Sequence, residues 1–255
     1  MTAYREDLAY IHDLGFGDYA LQSAPGILEI LAQNQIHEGL VVDLGCGSGL
    51  SAQELIKAHY RVIGVDISES MLDIARTRVP DAEFVLGSIF QVPIPPCGAV
   101  ISIGECLNYL LKPSDSNHNL TQLFRRIYNT LTSGGVFIFD IAEPGQVKEG
   151  TTVKGFTEGD DWLVLVEKEE NYQQSRLTRR IITFRQVGKY YRRDEEVHYQ
   201  QLYRATDIAA ELQQVGFQVK ILRNYGQYNL PQAHAAFIAS KAIAEGAEEE
   251  GYNFY

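Results

Sequence analysis

Apolar residues recur three and four positions apart over Tyr4 to Leu14 and again over Gly26 to Ala32, a spacing that predicts two amphipathic helices. A different rhythm then begins. Leu40-Val41-Val42-Asp43-Leu44 is a short apolar run ending in a glycine-rich turn, and a helical stretch follows from Ser51 to Ala58. Arg61 to Val65 predicts a second strand ending at Asp66, and Ser68 is placed to cap a helix with Met71, Leu72 and Ala75 on one face. Strands at Glu83 to Leu86 and Ala99 to Ile103 come next. An amphipathic helix from Leu120 to Leu131 is stopped at Ser133-Gly134-Gly135, and Val136 to Asp140 makes a fifth strand. Strands separated by helices at this interval predict a parallel sheet covered by helices on both faces.

Beyond Pro144 the helical spacing disappears. Trp162 to Val166, Leu177 to Val187 and Glu195 to Leu202 read as strands with no helix between them, so they are expected to pair antiparallel as hairpins. Alternation returns where Thr206 is placed to cap a helix over Asp207 to Val215. A strand then runs to Leu222, and Ala235 to Ala239 is expected to close the sheet. The pattern predicts one domain over residues 1–242, with an N-terminal helical cap at 1–35 and a β-rich insertion at 145–205. The acidic tail, 243–255, is expected to be flexible.

Composition narrows the class. With 45% hydrophobic and 22% charged residues in 255, the chain suits a globular protein and neither a disordered nor a fibrous one. The cysteines (Cys46, Cys97, Cys106) are odd in number and scattered, which argues against a disulfide framework and for a reducing compartment. No apolar run approaches the roughly 20 residues of a membrane span, and Met1 to Tyr10 lacks the layout of a signal peptide. A cytoplasmic location is therefore expected, without a membrane partner. The net charge of -11 opposes binding to phosphate backbones, so nucleic acid is not expected as a partner, whereas a cationic small ligand suits an acidic body.

The strongest chemical signal is Asp43-Leu44-Gly45-Cys46-Gly47-Ser48-Gly49. Glycines at alternate positions after a buried strand let a ligand lie directly on the backbone, and the first turn of the following helix offers amides to an anionic group. Asp66, at the end of the next strand, is placed to accept hydrogen bonds from a ribose diol. Gly47 to Ala52 also fits the dinucleotide fingerprint. In that frame Gly45 is unexplained, and an Asp43 carboxylate is poorly placed against a pyrophosphate. It suits the amino group and sulfonium of S-adenosylmethionine better.

The run resembles the glycine-rich first motif of class I S-adenosylmethionine-dependent methyltransferases. The resemblance extends over Leu40 to Asp140 and returns more weakly after Thr206. It implies an α/β, Rossmann-like sheet of seven mostly parallel strands, with an antiparallel β insertion after the fifth. It further implies S-adenosylmethionine as cofactor and S-adenosylhomocysteine as product. Asp66 stands where the family's ribose-binding acid stands, and Ser133-Gly134-Gly135 is similar to its late loop. Carried residue by residue, the cofactor contacts are Asp43, Gly45, Cys46, Gly47, Gly49, Asp66, Ile67, Met71, Ser88, Ile89 and Gly104. The chain departs from the family at Gly87-Ser88-Ile89-Phe90, where many members place an Asp against the adenine amino group. Ser88 can take that role with Ile89 and Phe90 flanking the ring; the alternative is that these two are core.

The acceptor side is less specific. Ile103-Gly104-Glu105-Cys106-Leu107-Asn108-Tyr109 ends the fourth strand, where ligands of doubly wound sheets sit. It lacks the Asn/Asp-Pro-Pro-aromatic motif of base-amine methyltransferases, which further disfavours DNA and RNA. Glu105 is expected to bind a substrate amine or to take a proton; the alternative is a solvated loop residue. The insertion is expected to be a lid that excludes water and aligns the acceptor, and an oligomer contact through it stays open. Glu196 to Arg204 resembles a strand of small-molecule N-methyltransferases, including sugar-amine dimethylating enzymes. His198 is the histidine of that stretch, with a pKa suited to proton transfer near neutrality; the alternative is a histidine bonded within a sheet. Tyr109, Tyr191, Tyr203 and Arg204 are expected substrate contacts. Tyr4, Tyr10 and Tyr19 are expected either to close over the cofactor or to pack in the core. The cations from Arg176 to Arg204 are read as the wet face of hairpins, or as a field steering an anionic substrate. The histidines lie far apart and no cysteine pair has zinc spacing, so no metal is expected. The expected function is methyl transfer to a small molecule. The alternatives are a protein acceptor, an NAD(P)-dependent oxidoreductase, or a noncatalytic S-adenosylmethionine-binding protein.

Overall fold

The computed structural model describes residues 3–110 and 120–243. Two helices, α1 (Glu6–Gly15) and α2 (Asp18–Gln33), precede the alternating region β1 (Leu40–Leu44), α3 (Leu50–Lys57), β2 (Arg61–Asp66), α4 (Glu69–Arg78), β3 (Glu83–Leu86) and β4 (Cys97–Ser102). A short 3-10 turn, Cys106–Asn108, leads into β5 (Tyr109–Leu110), and α5 (Leu120–Thr130) passes into β6 (Leu131–Ala142). Four long strands follow: β7 (Thr152–Glu158), β8 (Trp162–Asn171), β9 (Arg176–Val187) and β10 (Tyr190–Gln201). The chain ends with α6 (Ala205–Val215), β11 (Gln218–Leu222), the small hairpin β12 (Asn224–Tyr225) and β13 (Tyr228–Asn229), and β14 (His234–Ser240).

The main sheet has seven strands in the order β11-β14-β6-β4-β1-β2-β3. Pairs among β3, β2, β1, β4 and β6 are parallel, while β14 runs antiparallel to both neighbours. Strand order reverses beside β1: β2 and β3 build outward on one side, and β4 and β6 on the other. A crevice must therefore open beyond the carboxyl ends of β1 and β4. Both faces are covered at the centre of the sheet, which is why β1, β4, β14 and the second half of β6 are near-continuous apolar runs, while the edge strands β3 and β11 are partly exposed. Along β6, Phe137 and Phe139 join Phe124 and Phe237 in one core, while Val136 and Ile138 join Ile27, Leu55 and Ile101 in the other.

The insertion folds into a second sheet, order β5-β10-β9-β8-β7, antiparallel throughout. Its first strand, β5, comes from the segment just after β4, so the two sheets are joined at the crevice. Buried Asn108 reinforces the joint: its amide donates to Ala142 O at 2.9 Å and Gln201 O at 2.6 Å, and its oxygen accepts the Ala142 N–H at 3.0 Å.

Some expectations are corrected. The second helix begins at Asp18 and runs through Pro25, where the sequence spacing predicts a start at Gly26. Thr206 lies inside the first turn of α6 and does not cap it; Glu143 accepts the Ala205 N–H at 3.0 Å instead. Ser133-Gly134-Gly135 belongs to the irregular entry of β6, where the register with β4 shifts between Cys97 and Ala99. β7 is a strand that the sequence pattern does not predict: all its residues are exposed, and such an edge strand carries no alternation. Ser68, by contrast, does cap α4, accepting the Met71 N–H at 3.1 Å. The tail beyond Ile243 lies outside the described residues.

Candidate active site

A cavity of about 1340 Å³ fills the crevice beyond β1 and β4 and is roofed by α1 and the antiparallel sheet. Its floor is the glycine loop. Gly45 and Cys46 donate to Val65 O, and Gly47 donates to Asp66 Oδ2 at 2.9 Å, while Asp66 Oδ1 accepts the Ser68 N–H at 2.8 Å. Gly47 (φ +52) and Gly104 (φ +93) both sit in the left-handed region, and a Cβ on either would meet nothing within 4 Å. Bare main chain therefore faces the open space. Asp43 is 1% exposed, and its Oδ2 has no partner among the described residues. Burial, with the nearby Asp66 charge, pushes its carboxyl up to about 7.

The loop after β4 is shaped by another buried acid. Asp140 accepts the backbone N–H groups of Gly104 at 3.0 Å and Glu105 at 2.6 Å, and the Tyr225 hydroxyl at 3.1 Å. Burial raises Asp140 to about 6. Held in this way, Glu105 adopts a left-handed conformation (φ +63) and reaches across to other elements. Its Oε2 accepts from Arg179 at 2.8 Å and Gln200 at 2.7 Å, and its Oε1 is hydrogen-bonded to His234 Nε2. Burial alone would raise its pKa; the Arg179 charge and the His234 and Gln200 bonds overcome this and pull it down to about 2. A carboxylate so stabilised, with both oxygens engaged, is a weak base. The expectation that Glu105 takes a proton, and its alternative of a solvated loop residue, are both corrected: Glu105 anchors a buried network.

The roof brings the N-terminus and the second sheet together. Tyr4 and Tyr109 share a hydroxyl–hydroxyl hydrogen bond at 2.8 Å. The His198 ring lies 5.0 Å from the Tyr4 ring and 5.7 Å from Tyr109, centre to centre. His198 Nε2 bonds Glu196 Oε2 at 2.8 Å, whereas its buried Nδ1 has no partner among the described residues. Glu196 also accepts the backbone N–H groups of Tyr4 and Arg5, each at 2.8 Å, and the Ser68 hydroxyl donates to Tyr4 O at 2.6 Å. The segment before α1 is thus pinned from both sides. Farther along, buried Asp7 pairs with Arg185 and Arg192, and Arg5 pairs with Asp194. Much of the basic stretch therefore faces carboxylates of α1 or of its own hairpins, Arg180 and Arg193 taking Glu195.

Most of the residues singled out from the sequence meet at this cavity: Asp43, Gly45, Cys46, Gly47, Asp66, Ile67, Met71, Ser88, Ile89, Gly104, Glu105, Tyr109 and His198 line it. Tyr4 and Tyr19 do as well, and Tyr10 does not; its hydroxyl donates to Asp161 at 2.9 Å. Gly49, Tyr191, Tyr203 and Arg204 do not line it, which corrects four expected contacts. Gly49 (φ +80) starts α3 and lets it approach Ala75 of α4, where a Cβ would sit 3.1 Å from that side chain. Tyr191 is at the far, exposed end of β10, Tyr203 packs on the core beneath the sheet, and Arg204 is exposed before α6. His12, Lys168, Arg179, Glu196 and His234 line the cavity without having been assigned to it. Burial lowers His12 to about 4, leaving it neutral near pH 7. Arg179 stands directly opposite His198 in the register of β9 and β10, which the sequence pattern alone does not fix. His234 had no signal in the sequence, because its partner Glu105 is 129 residues away.

Residues 41–135 match the methyltransferase domain family. A protein of Geobacillus sp. (strain WCH70) named as a methyltransferase is 30% identical over 188 residues, covering 70% of this chain and 74% of that protein. An 18S rRNA (guanine-N(7))-methyltransferase of Dictyostelium discoideum is 36% identical over 115 residues, 42% of this chain and 40% of its own length. Among solved structures, the sugar N-methyltransferase KedS8 from Streptoalloteichus sp ATCC 53650 superposes with a TM-score of 0.75 at 17% identity, over 93% of this chain and 94% of that one.

Proposed function

This chain belongs to the class I S-adenosylmethionine-dependent methyltransferases, and we propose that its acceptor is a small molecule enclosed between the glycine loop and the antiparallel sheet, which acts as a lid on a single domain. Family membership removes the nicotinamide alternative. The observation that carries the acceptor reading is the roofed cavity of about 1340 Å³. Ligand clefts usually occupy roughly 300–1,000 Å³, so this one has room for a cofactor and a metabolite together. The sugar N-methyltransferase of similar fold is in keeping with that reading. The likeness to an rRNA enzyme spans less than half of either chain, and the net charge of -11 opposes a polyanion.

The residues present fit the cofactor. The bare main chain of Gly45, Cys46, Gly47 and Gly104 receives the methionyl part, and the unpartnered Asp43 carboxylate faces its ammonium. Asp66 already accepts two backbone N–H groups, yet each carboxylate oxygen keeps a second lone pair for a ribose hydroxyl. Ile67 and Met71 flank the adenosine, with Ser88 and Ile89 at the adenine. Bound there, S-adenosylmethionine supplies a methyl group already activated on a sulfonium, with S-adenosylhomocysteine as the product. The protein's contribution is alignment and exclusion of water, which the N-terminal segment and the lid provide. His198 is the proton acceptor on the acceptor side, because Glu196 takes its Nε2 and leaves Nδ1 for the substrate. Tyr4 and Tyr109 position the acceptor beside it. Glu105 acts through Arg179, Gln200 and His234 as a positioning residue.

The test is a library screen for S-adenosylhomocysteine release, preceded by calorimetry with S-adenosylhomocysteine and run beside ribosomal RNA and protein arms. Turnover on a metabolite is expected, with His198→Asn lowering kcat by roughly 10²-fold or more at little change in acceptor KM. Turnover confined to RNA or protein would refute the acceptor class. Unchanged kcat in the variant would remove His198 from the chemistry.

A further inference from the structure

We propose that the acceptor carries an anionic group, a carboxylate or a phosphate, received by Lys168 together with Arg179 on the cavity face of the lid. This rests on the small-molecule reading above and narrows it. Lys168 on β8, Arg179 on β9 and His198 on β10 stand directly opposite one another in the register, and all three line the cavity. Directly opposed side chains in an antiparallel pair share a face with Cβ atoms roughly 4.5–5.5 Å apart, and like charges placed so repel. The opposed Lys168 and Arg179 charges thus cost the free protein stability, unless counter-charges lie against them.

The neighbouring carboxylates do not serve Lys168. Glu170, two positions along β8 on the same face, accepts the backbone N–H groups of Gly145 and Val147, each at 2.9 Å. Glu196, two positions along β10, is taken by Tyr4, Arg5 and His198. Glu105 binds Arg179, Gln200 and His234. Glu167 and Glu169 point to the opposite face, where Lys154, Arg180 and Thr152 bind them. The Lys168 side chain is half-buried and makes no hydrogen bond or ion pair among the described residues. Its pKa is lowered by burial and by the Arg179 charge, which together outweigh the opposing pull of the Glu105 charge. Asp43 and Asp66 lie at the glycine loop, suited to a cationic cofactor, whereas Lys168 and Arg179 stand side by side on the sheet that covers it, suited to an anionic group of the acceptor.

The experiment uses the intact protein saturated with S-adenosylhomocysteine and titrates inorganic pyrophosphate and, separately, succinate by calorimetry. At least one anion should bind the wild type. Lys168→Met should weaken that binding by about tenfold or more, as loss of a charge-assisted contact implies, and Lys168→Arg should restore most of it. The affinity for S-adenosylhomocysteine should be the same in all three proteins, which also shows that they are folded. Preference for pyrophosphate assigns a phosphate, and preference for succinate a carboxylate. Equal anion binding by wild type and Lys168→Met, or none by the wild type up to about 10 mM, overturns the proposal. Failure of the wild type to bind S-adenosylhomocysteine is a separate result that removes the parent reading as well.

Discussion

The Arg179 guanidinium donates to Glu105 Oε2 at 2.8 Å and so ties the middle strand of the antiparallel sheet to the loop after β4, 74 residues apart in sequence. Both side chains are largely buried, at 16% and 12% exposure. Removing one partner of such a pair leaves an uncompensated charge inside the protein, at a cost of about 3–5 kcal/mol. Arg179→Met should lose stability of that order in urea denaturation, and Arg179→Met with Glu105→Gln should recover part of it. A loss below about 1 kcal/mol would mean that water screens the pair.

Asp43 and Asp140 are expected to make the ligand-free protein less stable as pH rises. Each has a folded pKa raised by burial, to about 7 and about 6. In the window from their ordinary value near 3.8 up to those values, the folded state holds protons that the unfolded state has released. Stability therefore falls across roughly pH 4 to 7. Glu105 works in the opposite sense and lower down, its contribution being lost only as pH falls from about 4.5 toward 2. Melting curves from pH 5 to 8 should slope downward for the wild type and less so for Asp43→Asn. S-adenosylhomocysteine affinity should rise over the same range in the wild type alone, since its ammonium favours the ionised Asp43.

Glu196 holds the N-terminal segment over the cavity by accepting the Tyr4 and Arg5 N–H groups. Glu196→Ala removes the acceptor at the start of α1, worth about 1–2 kcal/mol locally. Limited proteolysis before Gly17 should accelerate by about tenfold, with weaker S-adenosylhomocysteine binding. Cleavage at the wild-type rate would mean that Asp7 and its arginines suffice to hold the helix.

Gly26 of α2 lies against the β12 hairpin, where an added Cβ would fall 2.2 Å from the Tyr225 carbonyl carbon and 2.5 Å from Gly226 N. Backbone cannot yield cheaply, so Gly26→Ala should cost about 3 kcal/mol. The Tyr225 hydroxyl bonds Asp140, which shapes the Gly104–Glu105 turn, so cofactor affinity should fall too. Gly155→Ala on β7, whose Cβ would meet nothing within 4 Å, should be neutral within about 0.5 kcal/mol.

The central strands of the main sheet were legible because burial on both faces turns them into apolar runs. The glycine loop was legible because its chemistry is contiguous: Asp43 to Gly49 carries the turn, the bare amides and an acid within seven residues. Elements without an apolar side were not legible. β7 is exposed along its whole length, and the cap of α6 comes from Glu143, 62 residues away.

Periodicity was enough to determine the α/β class, and the resemblance of the contiguous Asp43 to Gly49 run pointed to the family, because these depend on neighbours within a turn or a strand. The rest of the cavity lining was decided by tertiary structure. Tyr191, Tyr203 and Arg204 share a stretch of sequence with His198, yet strand direction and length carry them away from the cavity, while Lys168, His234 and the N-terminal Tyr4 are brought in. The Glu105 network is the sharpest case: whether a carboxylate is a solvated base or a buried anchor depends on which charges the fold delivers to it, and Arg179 and His234 arrive from elements far along the chain. Coulomb and hydrogen-bond energies act over a few ångströms of space, and separation in sequence does not reveal that distance.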